Sequence, residues 1–185
     1  MPKPLYPHNI GFRPFTGGGI TPSAYAWYAN GCSQADAGAT LTAVDGFGQA
    51  TATHTQALDN TGTGLRGYVE FTHNSVTDYG YFGWTSAATA QSSNIKAGFY
   101  IAGAAEWRVY HNGTDTALPV GAWNGAERFR VELYDDKTIW LVNDIQAYQS
   151  ATSFADALLW MGAHFYYSTC ALTNVVMAGV VTVPR

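Results

Sequence analysis

The chain has 185 residues, which suits one domain of about 150 residues with some chain left over for an arm. Apolar residues make up 47% and aromatics 15%, while charged residues make up only 12%, so a disordered chain is excluded. Nine Lys and Arg against thirteen Asp and Glu give a net charge of −4, which argues against the basic footprint of a nucleic-acid partner. No apolar run approaches the roughly 18 residues of a transmembrane helix, so no membrane insertion is expected. The start, MPKPLYPHNIGF, has no apolar core of a signal peptide, and passage outside a cell then implies another route, such as a virus particle.

Residues 1–24 hold five of the seven prolines and the run Gly17, Gly18, Gly19. Proline denies a β-ladder its donors and the triple glycine acts as a joint, so the segment reads as an extended arm. A solvated tail has little use for Leu5, Tyr6, Ile10, Phe12 and Phe15. Docking on a partner or neighbouring subunit is therefore favoured over a disordered tail, with Tyr6, Ile10, Phe12 and Phe15 as anchors. The sandwich domain is expected over 25–185.

From Tyr25 onward short strands alternate with turn residues. GYVEFTH (67–73) sets Val69 and Phe71 against Tyr68, Glu70 and Thr72. YGYFGWTS (79–86) is aromatic and rich in glycine. IKAGFYIAG (95–103) aligns Ala97, Phe99 and Ile101. EWRVYHNG (106–113) places Trp107, Val109 and His111 opposite Glu106, Arg108 and Tyr110. RFRVELY (128–134) puts Phe129, Val131 and Leu133 inside and Arg128, Arg130, Glu132 and Tyr134 outside. TIWLV (138–142) is read with Ile139 and Leu141 inside and Thr138, Trp140 and Val142 outside. LWMGAHFYY (159–167) and LTNVVMAGVVTV (172–183) supply two more β-rich runs. HNG (111–113), YDDK (134–137) and VND (142–144) are reversal signals. SFADALLW (153–160) is the best helix candidate, for one turn at most. Eight to twelve such strands predict an all-β sandwich or barrel.

Chemistry-bearing motifs are sparse. His8, His54, His73, His111 and His164 are scattered, with no HxH, HExxH or Cys/His cluster, and GxSxG, P-loop and dinucleotide fingerprints are missing. No metal and no cofactor is expected. Cys32 and Cys170 read as two separate small buried thiols, able to pair only if the fold brings their Cα atoms within about 7 Å.

The order of the segments resembles the concanavalin A-like lectin/glucanase sandwich, in the version found on phage tail and bacterial surface proteins. GCSQADAGATLTAVDGFGQATATHTQAL (31–58) is similar to the family's opening, and GYVEFT, YGYFGWTS, AGFYI and WRVYHNG to its middle strands. ERFRVELYDDKTIWLVNDIQAYQS (127–150) resembles its pattern of an Arg-containing strand, an acidic turn, a strand ending in Asn and a closing Tyr-x-Ser. LTNVVMAG (172–179) resembles the strand that closes the sheet. The resemblance covers about residues 25–181 and implies a two-sheet antiparallel jelly-roll. One departure is the hairpin, where Asn143-Asp144 stands in place of Asn-Gly; Asp tolerates positive φ less well than Gly. Glucanases of this fold place two or three acids at alternate positions on one concave strand. Here Glu70, Glu106, Glu127 and Glu132 each stand alone on a strand or loop, so no catalytic residue and no enzyme activity is expected. The Asn- and carboxylate-rich metal loop of plant lectins is also missing.

Fold does not fix function. The resemblance implies a non-catalytic phage virion protein with a lectin-like domain, located on the particle or an extracellular surface. Its expected partners are other virion subunits, copies of itself in a homo-oligomer such as a trimer, and bacterial surface polysaccharide. A purely structural or decoration protein of capsid, collar or tail is the competing reading, and an enzyme of unrecognised type a third. Sugar sites combine exposed aromatic faces with Asn, Asp, Glu and Arg, groups offered by the outward row Arg128, Arg130, Glu132, Tyr134 and Trp140, with Tyr68 and Glu70 expected nearby. Trp123, flanked by glycines in GAWNGAE, with Tyr134, Trp140 and Arg130, are the expected glycan-binding residues. The bland alternative makes Arg130 and Glu132 surface ion pairs with neighbours such as Glu70 or Arg108. Trp84, Trp107 and Trp160 read as core aromatics.

Overall fold

The computed structural model describes residues 27–184, apart from positions 37–38, 45–49, 55, 75–78, 88–90, 104, 116–118, 152–153, 169 and 180. The expected arm, with Tyr6, Ile10, Phe12 and Phe15, lies outside the described residues. In chain order the strands are β1 (Trp27–Asn30), β2 (Cys32–Ala35), β3 (Thr40–Ala43), β4 (Ala50–His54), β5 (Gln56–Asp59), β6 (Leu65–His73), β7 (Gly80–Thr85) and β8 (Ile95–Ala102). There follow β9 (Glu106–His111), β10 (Val120–Ala122), β11 (Arg128–Tyr134), β12 (Thr138–Val142), β13 (Ile145–Ser150), β14 (Leu158–Phe165), β15 (Ala171–Gly179) and β16 (Val181–Pro184). A 3-10 turn at Ser92–Asn94 precedes β8. The expected helical turn at 153–160 does not form: among its described residues, Leu158 already begins β14.

Two antiparallel sheets result. The nine-stranded sheet runs β1-β4-β14-β7-β8-β9-β10, with β5 beside the start of β14 and β16 beside β5. The seven-stranded sheet runs β13-β12-β11-β6-β15-β3-β2. In each, a late strand fills a gap between early ones: β14 between β4 and β7, and β15 between β3 and β6. That non-local closure is the jelly-roll topology, and it follows from hairpin-rich chains returning to bury their open edges.

Period-two alternation decides what is buried. On β6 and β11 the inward residues Val69, Phe71, Phe129, Val131 and Leu133 are essentially inaccessible, as are Phe99, Ile101 and Val109 from the other sheet. Phe71 stacks on Phe129 at 5.5 Å between centroids, and Phe99 meets Phe129 at 4.9 Å. Two indoles strap the layers together. Trp84 Nε1 of β7 donates to Val131 O of β11 at 3.2 Å, and Trp140 Nε1 of β12 donates to Gly98 O of β8 at 2.7 Å. Each tryptophan thus buries its ring and still satisfies its one donor, the condition for placing indole in a core.

This corrects the reading of β12. Trp140 is inside, while Ile139 and Leu141 are half-buried on the outer face. Apart from Thr138, TIWLV is apolar on both parities, so periodicity alone cannot choose a face. Pairing chooses: Val131 lies opposite Trp140, Leu133 opposite Thr138 and Phe129 opposite Val142. Paired residues point the same way, so inward Val131 carries Trp140 inward with it.

A second irregularity bends β15. Residues 174–175 stand opposite the single Phe71, and Asn174 adopts φ 51°. The bulge turns Val175 into the core, where its N–H donates to Ala39 O at 3.0 Å.

Candidate functional site

The outer face of the seven-stranded sheet gathers the charges that its sequence alternation pushed out. Arg130 lies opposite Glu70, and Glu132 opposite Tyr68, on the adjacent strands β11 and β6. Arg130 Nε and Nη2 both reach Glu70 Oε2 at 2.6 Å, Nη1 reaches Glu132 Oε1 at 3.6 Å and Nη2 reaches Asp144 Oδ1 at 3.3 Å. Arg128 pairs with Asp144 and lies 3.5 Å from Glu70 Oε2. Three carboxylates therefore share two guanidinium groups. The Arg130, Glu70 and Glu132 side chains are only 12–13% exposed, so the network lies in the surface and not above it. Burial opposes the Arg130 charge, but the Glu70 hydrogen bond and the fields of Glu70, Asp144 and Glu132 outweigh it, leaving its pKa raised.

Aromatic rings flank the network. The Arg130 guanidinium lies 5.0 Å from the Tyr68 ring centroid, and the Lys137 ammonium 5.1 Å from that of Tyr134. Tyr134 Oη donates to Glu132 Oε2 at 3.0 Å. Its pKa is pushed up to about 12, first by burial and then by the adjacent Glu132 charge.

The hairpin between β12 and β13 supplies the third acid. Asn143 and Asp144 have φ of 51° and 64°, the pair of positive values that a tight two-residue hairpin demands. Asn143 Oδ1 accepts from Arg128 N–H at 2.9 Å, which fixes the turn against β11. The non-glycine residue thus delivers a carboxylate to Arg128 and Arg130.

Of the four residues expected to bind glycan, the structure brings Arg130 and Tyr134 onto this face and removes the two tryptophans. Trp140 is fully buried. Trp123 is 2% exposed: its backbone N–H donates to Ala105 O at 2.8 Å, and its ring meets His73 edge-on at 4.9 Å. Its glycine neighbours suggest an open loop, yet the segment folds inward after the edge strand β10 and plugs the end of the sandwich. Glu127 closes the loop by accepting from Asn124 N–H at 3.0 Å. Trp84 is core, as expected, and Trp107 packs against the core while donating to Ala122 O at 3.1 Å. Trp160 is not core: it alternates outward on β14 and is half-buried. The ion pair that the alternative reading expected for Arg130 is present, with Glu70 as the partner. Outward parity already groups Arg128, Arg130, Glu132 and Tyr134 with Tyr68 and Glu70 nearby, and the register between β11 and β6 brings them together; the residue that sequence reasoning missed is Asp144, delivered by the hairpin.

The opposite face, outside the nine-stranded sheet, carries tyrosines. Tyr81 of β7 stacks on Tyr100 of β8 at 4.5 Å and 15°, with Tyr110 of β9 edge-on to Tyr81 at 4.8 Å. Tyr166 lies 5.9 Å from Tyr81, and Tyr79 lies 6.3 Å from Tyr100. Arg108 lies 5.9 Å from the Tyr100 ring and is held by Glu106 at 2.5 Å and Asp115 at 3.2 Å. Burial raises the pKa of Tyr81, Tyr100 and Tyr110 above the ordinary phenol value. Beside the tyrosines, Gly162, Gly83 and Gly98 sit in one row across three strands. Over that row the Ser92 turn is pinned by Tyr110 Oη donating to Ser92 O and Ser92 N–H donating to His164 Nδ1, both at 3.0 Å.

Cys32 and Cys170 form no disulfide; Cys170 is buried as expected, whereas Cys32 is only half-buried. Cys170 and His73, both fully buried, lie 2.8 Å apart, Sγ to Nε2, inside the core. Among the described residues no three His, Cys, Asp or Glu side chains group as metal ligands.

No family model and no curated protein matches the sequence. Solved structures do match in shape. The carbohydrate recognition domain of Emp47p superposes with a TM-score of 0.62 at 12% identity, over 89% of this chain and 97% of that one. A Bacillus licheniformis beta-glucanase gives 0.57 at 12% identity, over 89% and 99%. Carbohydrate binding module CBM66 from Bacillus subtilis gives 0.52 at 11% identity, over 84% and 97%. At these identities the likeness is one of fold: the chain is a concanavalin A-like sandwich, as the order of its segments implied.

Proposed function

We propose that the domain is a non-catalytic, lectin-like module that binds bacterial surface polysaccharide through the outer face of the seven-stranded sheet. The observation that carries this reading is the sunken Arg128–Arg130–Glu70–Glu132–Asp144 network flanked by Tyr68 and Tyr134. Sugar hydroxyls are donors and acceptors at once, and a fixed set of guanidinium N–H groups and carboxylate oxygens meets both needs without rearrangement. Tyrosine ring faces supply the apolar surface on which the C–H side of a pyranose ring stacks. Matched structures include a carbohydrate recognition domain and a carbohydrate binding module, which supports the same reading.

Binding is favoured over hydrolysis on chemical grounds. A glycosidase needs one carboxyl group free to donate a proton and a second free to attack or to activate water. Glu70 is already engaged by two guanidinium groups, and Glu132 by Arg130 and the Tyr134 hydroxyl. A beta-glucanase is among the matched structures, so catalysis is the second reading to be tested.

Display on a phage particle is part of the proposal and rests on the sequence resemblance. Several copies on one particle multiply avidity, so a shallow site of weak affinity suffices. The test is a glycan array with the full chain, followed by titration of the best hit against Tyr68→Ala and Arg128→Gln. Tyr68 is half-buried and the Arg128 side chain is 41% exposed, both outside the core, so folding should survive, and affinity should fall at least several-fold. An array on which no bacterial polysaccharide binds, or a hit that neither substitution weakens, overturns the assignment in favour of a structural or decoration role. Release of reducing sugar, lost in Glu132→Gln, would establish the catalytic reading instead.

A further inference from the structure

We infer that the glycan taken by the outer face of the seven-stranded sheet carries a free ammonium group, as an amino sugar without its N-acetyl cap does. This rests on the proposed glycan reading and narrows its ligand to one chemical class.

Arg128 and Arg130 supply two positive charges, and Glu70, Glu132 and Asp144 supply three negative ones, so the network keeps one negative charge uncompensated. The turn between β11 and β12 does not cancel it, because Asp135 and Asp136 stand there against Lys137. Asp136 is near enough for its charge to act on the Tyr134 phenol. Arg66 of β6 is spent on the loop between β5 and β6, where its Nε donates to Gly62 O at 2.7 Å and its Nη1 to Asn60 Oδ1 at 2.9 Å. With Glu70 and Glu132 sunk into the surface, water screens the excess charge less than it would on an open face.

Hydrogen-bonding capacity points the same way. Arg130 turns Nε and Nη2 to Glu70, Nη1 to Glu132 and Nη2 to Asp144, and Arg128 turns Nη2 to Asp144. The guanidinium donors are therefore aimed at the protein's own acids, and a ligand meets acceptors in surplus. Glu132 Oε1 lies 3.6 Å from Arg130 Nη1, longer than a hydrogen bond, and the Asp144 side chain is 45% exposed. These two acids flank one guanidinium and still accept donors from outside. Tyr68 lies opposite Glu132 across the strands, so a sugar stacked at Tyr68 brings its substituents beside that carboxylate. An ammonium answers such a site best, with three donors, no acceptor and a compensating charge. An acetamide offers one N–H and no charge. A uronate or phosphate brings the wrong sign and competes with the carboxylates for their arginines.

The test titrates the full chain calorimetrically with three hexasaccharides of one linkage, built of glucosamine, N-acetylglucosamine and glucose. At low salt the glucosamine chain should bind about tenfold more tightly than either uncharged one, the worth of one charge-assisted hydrogen bond. Salt at about 0.5 M should erase most of that ratio. Glu132→Gln and Asp144→Asn each remove the surplus charge and should bring the ratio close to one. Asn tolerates the positive φ at 144, so the second variant keeps the fold even if the first does not. Glu106→Gln, on the opposite sheet, should leave the ratio unchanged. If it lowers the ratio as much, the preference belongs to the overall charge of the chain and the inference fails. Equal affinity for the N-acetylated or glucose chain overturns the inference and leaves the glycan reading standing. Binding of none of the three overturns it too, and the glycan array then decides the wider reading.

Discussion

Asp144 stands where a hairpin of this geometry takes glycine at least cost. At φ 64° its Cβ crowds the backbone, a penalty of about 1 kcal/mol that glycine escapes. Against this stands its pairing with Arg128 and Arg130, and because Asp144 is 45% exposed that pairing is worth at most about 1 kcal/mol. The two terms nearly cancel, so Asp144→Gly is expected to shift unfolding stability in urea by less than about 1 kcal/mol. Glycan affinity should fall, since two guanidinium groups lose their outer acceptor. A loss beyond 2 kcal/mol would mean the network is a structural clamp first. The two buried tryptophans make the converse case. Trp140→Ala removes a large core ring and its bond to Gly98, and should cost about 3–5 kcal/mol. Any loss of glycan binding in Trp140→Ala or Trp123→Ala should track unfolding and not a contact with sugar.

Between strands, the close approach of β7 and β8 depends on paired glycines. A Cβ at Gly98 would sit 2.2 Å from Phe82 O, and one at Gly83 would sit 2.2 Å from Ala97 O. Neither obstacle can yield, because both are backbone of the neighbouring strand. Gly98→Ala should therefore cost about 1–3 kcal/mol or more and unstack Tyr81 from Tyr100. Gly62, with nothing within 4 Å and no positive φ, provides the control. Gly62→Ala should leave stability unchanged or raise it by about 0.4–1 kcal/mol through the unfolded chain. Equal denaturation midpoints for the two variants would refute the steric account.

For the molecule as a whole, burial of ionisable groups sets the pH range of stability. His111 lies edge-on to Trp140 at 5.3 Å and to Phe154 at 5.7 Å, and desolvation there lowers its pKa below 6.5. The unfolded chain then binds a proton that the folded chain refuses, so stability falls as pH drops below about 6.5. Substituting His111→Gln should flatten the fall between pH 6.5 and the lowered folded value. At the other end, the raised pKa values of Tyr81, Tyr100 and Tyr110 mean that the unfolded chain ionises first. Stability should fall as pH rises above 10.0, and phenolate absorbance should lag behind that of denatured protein. A native titration that superimposes on the denatured one would contradict the buried tyrosine cluster.

Much of this architecture was legible in the chain itself. Alternation in RFRVELY and GYVEFTH settles the inward residues of β11 and β6, because one parity there is apolar and the other charged. Asn112-Gly113 and Asn143-Asp144 mark hairpins through their need for positive φ. By the same alternation Arg130, Glu132, Glu70 and Tyr68 are sent outward, although nothing local says that they meet. What tertiary pairing alone decided is the parity of TIWLV, where both faces hold large apolar side chains and Val131 breaks the tie, and the fate of Trp123, whose glycine neighbours permit an exposed loop and an inward plug alike. The assembly of the charged network and of the tyrosine face belongs to the same class. Their members lie up to about 90 residues apart in the chain, and hydrogen-bonded register between strands is the only force that brings such distant side chains onto one surface.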